Sequence, residues 1–128
     1  MVRGRVYVPP AGYPVLTVPG GSILARGSAD PLVDVAKQAD AFAQALAAPS
    51  DEAGDCEDIR GEILVFDDPQ ERLPRIDALE GFRPSGASLY TRVLLTVRRE
   101  QDARLVPAWA YVEGDLLRVA SQPQPKRQ

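Results

Sequence analysis

Asp77 and Glu80 stand three residues apart, and Gly81, Phe82, Tyr90 and Arg92 follow them. On a helical turn, residues three apart project to similar sides, so the two carboxylates share one side of a predicted helix end. Glu80 falls in the last turn, where the helix dipole disfavours a negative charge. Partial burial between Leu79, Phe82 and a neighbouring strand would add desolvation. Both effects raise a carboxylate pKa toward a value useful for proton transfer. Gly81 removes side-chain bulk beside Glu80, which lets a substrate approach. Tyr90 and Arg92 offer a hydroxyl and a cation from the next strand. The same residues also read as a surface glutamate at a helix end with a terminating glycine, and spacing alone leaves both readings open.

Composition narrows the chemistry. The chain has 128 residues, no histidine, one cysteine and a formal charge of -3. Without histidine there is no Ser-His-Asp triad, no Cys-His pair and no imidazole metal ligand. One cysteine forms neither an internal disulfide nor a thiolate zinc cage. A general base is therefore expected to be a carboxylate, ahead of Tyr or Lys. Fifteen Lys and Arg against eighteen Asp and Glu argue against a nucleic-acid partner, whose binder is usually basic. No apolar run approaches the ~20 residues of a membrane span, and the N-terminus lacks a signal-type apolar stretch. A cytoplasmic protein is expected. Cys56 lies in an acidic stretch that disfavours a thiolate nucleophile.

These residues need elements to hold them. Residues 2–8 alternate Val2, Gly4, Val6 and Val8 against Arg3, Arg5 and Tyr7, a strand pattern. Residues 13–18 form a second extended segment, placed at an edge by Pro14. Residues 31–48 read as a helix capped by Asp30 and started by Pro31, with Leu32, Val35, Ala39, Phe42 and Leu46 on its apolar face. Asp34, Lys37, Gln38 and Asp40 fall mostly on other faces. Residues 50–58 read as a solvated acidic loop. Residues 59–66 read as a strand buried on both sides, through Ile63, Leu64, Val65 and Phe66. Pro74 divides the next helical stretch into two short turns, and Gly81 terminates the second. Residues 88–99 and 106–112 are strands of a hairpin, in which Trp109 and Tyr111 share one face as core or cavity wall. Arg92, Arg98 and Arg99 are expected to be solvated or ion-paired. The domain spans residues 1–120, and residues 121–128 form a disordered tail. Strands and helices mix without regular βαβ alternation, which predicts a short, barrel-like α+β domain with one or two helices.

Gly61-Glu62-Ile63, Leu73-Pro74-Arg75-Ile76-Asp77-Ala78-Leu79-Glu80-Gly81-Phe82, Leu89-Tyr90-Thr91-Arg92 and Ala108-Trp109-Ala110-Tyr111-Val112 together resemble the gamma-glutamylcyclotransferase-like family. Val2-Arg3-Gly4-Arg5-Val6-Tyr7 and Gly12-Tyr13-Pro14-Val15-Leu16 resemble its second strand and the segment after it. The resemblance implies a small mixed-sheet barrel with a cavity. It implies that the α-amino group of a gamma-glutamyl moiety attacks its own side-chain carbonyl, giving 5-oxoproline and a released amine. It implies no cofactor and no metal. The family's catalytic carboxylate falls on Glu80, its active-site tyrosine falls on Tyr90, and Gly81 and Tyr13 join Tyr90 as substrate-binding candidates, Tyr13 at the cavity mouth.

One departure from the family pattern shapes the rival reading. Family members begin with a strand leading into a Tyr-Gly-Ser/Thr-Leu loop, whose backbone donors hold the substrate. These 128 residues contain no such segment, and Gly20-Gly21-Ser22-Ile23-Leu24 follows the wrong strand to replace it. The expectation is a domain lacking its first strand, with a sheet edge beside Val2–Val8 open to a homodimer partner. The alternative function is a non-catalytic small-molecule-binding or interaction protein of the same fold.

Overall fold

A computed structural model of the chain describes residues 1–8, 14–44, 46, 56–84 and 87–116. The predicted strand at the N-terminus forms as β1 (Val2–Tyr7), and the Pro14 segment forms β2 (Val15–Thr17). A short 3-10 turn, Gly20–Ser22, leads into β3 (Ile23–Arg26). Helix α1 (Pro31–Ala43) begins as its sequence demands: the Asp30 side chain accepts from the Leu32 amide, and Pro31 occupies the first turn. Then come β4 (Glu57–Ile59), α2 (Pro69–Leu79), β5 (Tyr90–Arg98) and β6 (Leu105–Glu113).

The architecture is α+β. The strands form two three-stranded sheets, ordered β2-β1-β4 and β3-β5-β6, and every pairing is antiparallel. The two sheets meet at a corner, where the Arg98 amide donates to the Met1 carbonyl at 2.9 Å. The expected hairpin is present as β5 and β6, in register from Tyr90 opposite Glu113 to Arg98 opposite Leu105. Strand β2 lies at an edge, as Pro14 requires. Strand β1 is the middle strand, its first half pairing with β4 and its second with β2, so neither edge of this sheet is β1.

Strand β5 is buried from Arg92 to Val97, hence covered on both faces. On one face Val93 and Leu95 join Val112 in an apolar cluster, against which Val2 and Leu16 of the other sheet, and Val18 just after β2, pack. On the other face lie the two helices. Such two-sided burial is the property expected of residues 59–66, which have a different structure. The strand there stops at Ile59, and the apolar run beyond it is exposed, Val65 reaching 93%. Hydrophobicity without strand neighbours does not make an interior strand.

Three further expectations change. Helix α2 is continuous through Pro74, not two turns. Pro74 is the sixth residue from its start, so the carbonyl that Pro74 would clash with lies at the first turn, where the distortion is best absorbed. Helix α1 is rotated relative to its apolar pattern: Leu32, Val35 and Phe42 are exposed, while Asp34 and Ala41 are buried. Its polar side docks instead, with Gln38 Nε2 donating to the Pro107 carbonyl of β6 and Lys37 Nζ to the Arg26 carbonyl. Third, the acidic stretch ends in a strand, not in a solvated loop. Asp58 sits in β4 and pairs with Arg3 and Arg98, which hold its carboxyl below the usual range. Residues 50–55 of that stretch, and the tail at 121–128, lie outside the described residues.

Candidate active site

A charge determines how α1 turns. Arg92, in the middle of an apolar strand, points to the helix side and is 1% exposed. A guanidinium cannot be removed from water unpaired, so the helices must present carboxylates to it. Asp34 of α1, fully buried, meets Nη2 at 2.9 Å. Asp77 of α2 meets Nε at 2.8 Å and Nη2 at 3.1 Å. The rings of Trp109 and Phe82 stack against the guanidinium, 4.9 and 5.3 Å from centroid to Cζ. Arg92 is thus ion-paired in the interior, not solvated.

The group is tightly tied. Burial alone would push the Asp34 carboxyl up, but hydrogen bonds from the Ser28 amide and hydroxyl and from Arg92 outweigh it and hold the pKa below its usual value. The Tyr111 hydroxyl donates to Asp77 Oδ1 at 2.5 Å. Burial first, and that bond to a carboxylate second, raise the Tyr111 phenol well above its usual range. Gly27 is required beside the cluster, since a Cβ there would lie 2.9 Å from Arg92 Cζ.

One turn beyond Asp77, α2 ends. Glu80 is its C-cap residue, and Gly81 follows at φ +69°, a left-handed conformation that glycine adopts without steric cost. The Gly81 carbonyl accepts from the Leu89 amide at 3.2 Å, closing the loop that carries the chain from α2 to β5. The space a Cβ on Gly81 would enter borders the Leu89 side chain, at 3.2 Å. This closure sets Tyr90, the first residue of β5, near Glu80. Burial raises the Tyr90 phenol pKa, and the negative charge of Glu80 raises it further. The same charge acts on Tyr111.

Glu80 is exposed at the end of α2, and Gly81 and Tyr90, both half-buried, lie on either side of the loop that the Gly81–Leu89 hydrogen bond closes. Tyr13 lies outside the described residues. The partial burial expected for Glu80 is not observed: Glu80 is exposed and Leu79 is 86% exposed, because α2 presents Leu73 and Asp77 inward instead. Sequence reasoning passed over Asp34, Asp77 and Tyr111 as partners of Arg92. The available signal was Arg92 itself, a cation within an otherwise apolar strand. Among the described residues no three Cys, Asp or Glu side chains converge to hold a metal ion.

These elements, from Leu24 of β3 through α1, α2 and the β5–β6 hairpin, fall inside a match to a known family. The family described as Gamma-glutamyl cyclotransferase, AIG2-like, matches residues 24–127. The chain belongs to this gamma-glutamyl cyclotransferase family. The match takes in Glu80, Gly81 and Tyr90, and the whole Arg92 cluster; β1 and β2 precede it. No curated protein and no solved structure matches the chain. No helix among the described residues is long and apolar enough to cross a membrane.

Proposed function

We propose that the protein is a gamma-glutamylcyclotransferase that releases 5-oxoproline from a gamma-glutamyl amine or peptide, with Glu80 as general acid and base. The observation that carries this reading is the family match over residues 24–127, which takes in Glu80 and Gly81 at the end of α2 and Tyr90 at the start of β5, across the loop closed by the Gly81–Leu89 hydrogen bond.

The steps follow from the substrate's own groups. The Glu80 carboxylate takes a proton from the α-ammonium. The freed nitrogen attacks the side-chain carbonyl carbon, a carbon–nitrogen bond forms, and the carbonyl oxygen becomes an oxyanion. Protonated Glu80 gives its proton to the departing nitrogen, the old amide bond breaks and the carbonyl re-forms. The ring nitrogen sheds its remaining extra proton through Glu80 to the released amine, which leaves as ammonium. Tyr90, its pKa raised, keeps its proton and serves as a hydrogen-bond donor to the substrate. The Arg92 cluster is a positioning element, since Asp77 fixes the turn that ends at Glu80. Water exclusion around the exposed Glu80 is then supplied by the substrate. The test is 5-oxoproline release from a panel of gamma-glutamyl compounds by the unaltered chain and by Glu80→Gln.

A second reading rests on the exposure of Glu80. In it the protein binds gamma-glutamyl compounds without turning them over. Saturable binding without 5-oxoproline release, unchanged in Glu80→Gln, would favour that reading. The lone Cys56 agrees with a reducing, cytoplasmic setting for either activity.

A further inference from the structure

The rotation of α1 that buries Asp34 turns the apolar side of the helix outward. Leu32, Val33, Val35 and Phe42 are 53, 45, 42 and 59% exposed, and Ala36, Ala39 and Ala43 are exposed with them. Leu32, Val35, Ala39 and Phe42 recur at intervals of three, four and three, the spacing with which one helix packs along another. Asp40 is the one charged residue among the exposed residues of α1. Lys37 is half-buried and drawn inward, to the Arg26 carbonyl and to Asp34. No residue of the proposed active site belongs to this face.

The two ends of the face differ in charge. At the C-terminal end it runs into a hollow of about 350 Å³, where Phe42, Gln44 and Leu46 meet Leu105 and Val106 of β6. Arg104, exposed, lines the same hollow. At the N-terminal end stands Asp30, the exposed capping residue of α1. Between them lies an apolar strip with small residues at its middle and large ones toward its ends. The exposed apolar side chains amount to roughly 500 Å² per copy, so a pair of such faces buries about 1,000 Å², the lower bound of a specific interface.

We propose that this face is the contact between two copies of the chain, packed antiparallel along α1 about a twofold axis beside Ala36. The small Ala36 and Ala39 let the two helices approach at the crossing. In this register Leu32 comes level with Phe42 of the second copy, and Val35 with its Ala39, so each end is filled by one large pair and the middle by large against small. Asp30 comes level with Gln44 of the second copy, at the hollow that Arg104 lines. The acidic end of each face thereby meets the basic end of the other. A second copy is the occupant because the strip supplies its own complement in both size and charge. A lipid surface suits it less, since helices that lie on membranes carry Lys and Arg beside the apolar face, whereas the border charge here is Asp40 and the chain carries a formal charge of -3.

The test is sedimentation velocity of the full chain from about 1 µM to about 1 mM. The expected result is a monomer at low concentration that becomes a dimer toward the top of the range, as a small interface dictates. Ala36→Glu sets two carboxylates beside the twofold axis and weakens the dimer at least about tenfold, and Ala36→Lys does the same with two ammonium groups; an equal mixture of the two variants recovers the dimer. Arg104→Gln weakens it about two- to fivefold, the size of an exposed ion pair. Val65→Glu, at a still more exposed apolar residue outside the face, leaves the dissociation constant within about twofold. Unchanged thermal unfolding midpoints of the dilute variants show that each is folded. A strict monomer throughout the range would overturn the proposal. So would a dimer indifferent to Ala36→Glu, or a mixture of the Glu and Lys variants that stays monomeric. Flotation of the monomer on phosphatidylcholine–phosphatidylglycerol vesicles, lost in Ala36→Glu, would overturn it in favour of a membrane.

Discussion

Asp77 grips Arg92 with both carboxylate oxygens, at 2.8 Å to Nε and 3.1 Å to Nη2, and the pair is closed to water. The oxygen facing Nε also accepts from Tyr111, so one buried atom ties α2 to both strands of the hairpin. Glu80 is three residues from that atom's residue. The geometry of the proposed catalytic carboxylate is therefore set by an interior ion pair.

Breaking that pair strands a charge. Asp77→Asn leaves Arg92 with Asp34 alone, and removal of one partner from a buried pair costs about 3–5 kcal/mol. A lower urea midpoint at unchanged slope is the expected result. Replacing Glu71, which pairs with Arg75 on the exposed side of α2, should shift stability by under about 1 kcal/mol.

The turn after α2 depends on one backbone conformation. Gly81→Ala places a Cβ in the left-handed region and against Leu89, with an expected cost of about 1–2 kcal/mol. Gly61, which has no atoms within 4 Å of a built Cβ, is the control, and Gly61→Ala should stay within about 0.5 kcal/mol. Thermal unfolding of the two variants checks the contrast.

Acid unfolding should report Asp34. Its folded pKa lies below its ordinary value of 3.8, so the unfolded chain binds the extra proton first. The stabilisation is complete above the unfolded pKa and is lost as pH falls through the lower, folded value. Stability measured from pH 6 down to pH 2 should fall more gently in Asp34→Asn, which starts from a less stable protein.

Tyr111 governs the alkaline side. Its folded pKa is raised from 10.0, so its stabilisation is complete below pH 10 and declines as pH rises above it. In a titration of phenolate absorbance, Tyr111 gives a late step, above the ordinary tyrosine range. Tyr111→Phe should remove that late step and flatten the alkaline loss of stability.

Much of the scaffold can be read directly from residue order. Alternation marks β1, Asp30 and Pro31 mark the start of α1, and Gly81 marks the end of α2. The hairpin and the edge position of β2 also follow from local pattern. The misread elements share one cause. Burial is a property of tertiary partners, and the periodicity of α1 could not show that its polar face meets a buried arginine. Likewise Ile63 to Phe66 are apolar, yet among the described residues no strand pairs with them. At the site, Glu80, Gly81 and Tyr90 were nameable from motif and spacing. Their support was not, because Asp34, Asp77, Arg92 and Tyr111 come from four separate elements and look like ordinary polar residues singly.

The most direct measurement is the rate of 5-oxoproline release from gamma-glutamyl amines and peptides by the unaltered chain and by Glu80→Gln, with both confirmed folded. Release by the unaltered chain and a fall of about 10²–10⁴ in Glu80→Gln is the predicted result, the usual contribution of a general acid–base group. Release that persists in Glu80→Gln, or no release from any gamma-glutamyl compound by the unaltered chain, would contradict the assignment of Glu80 as the catalytic carboxylate.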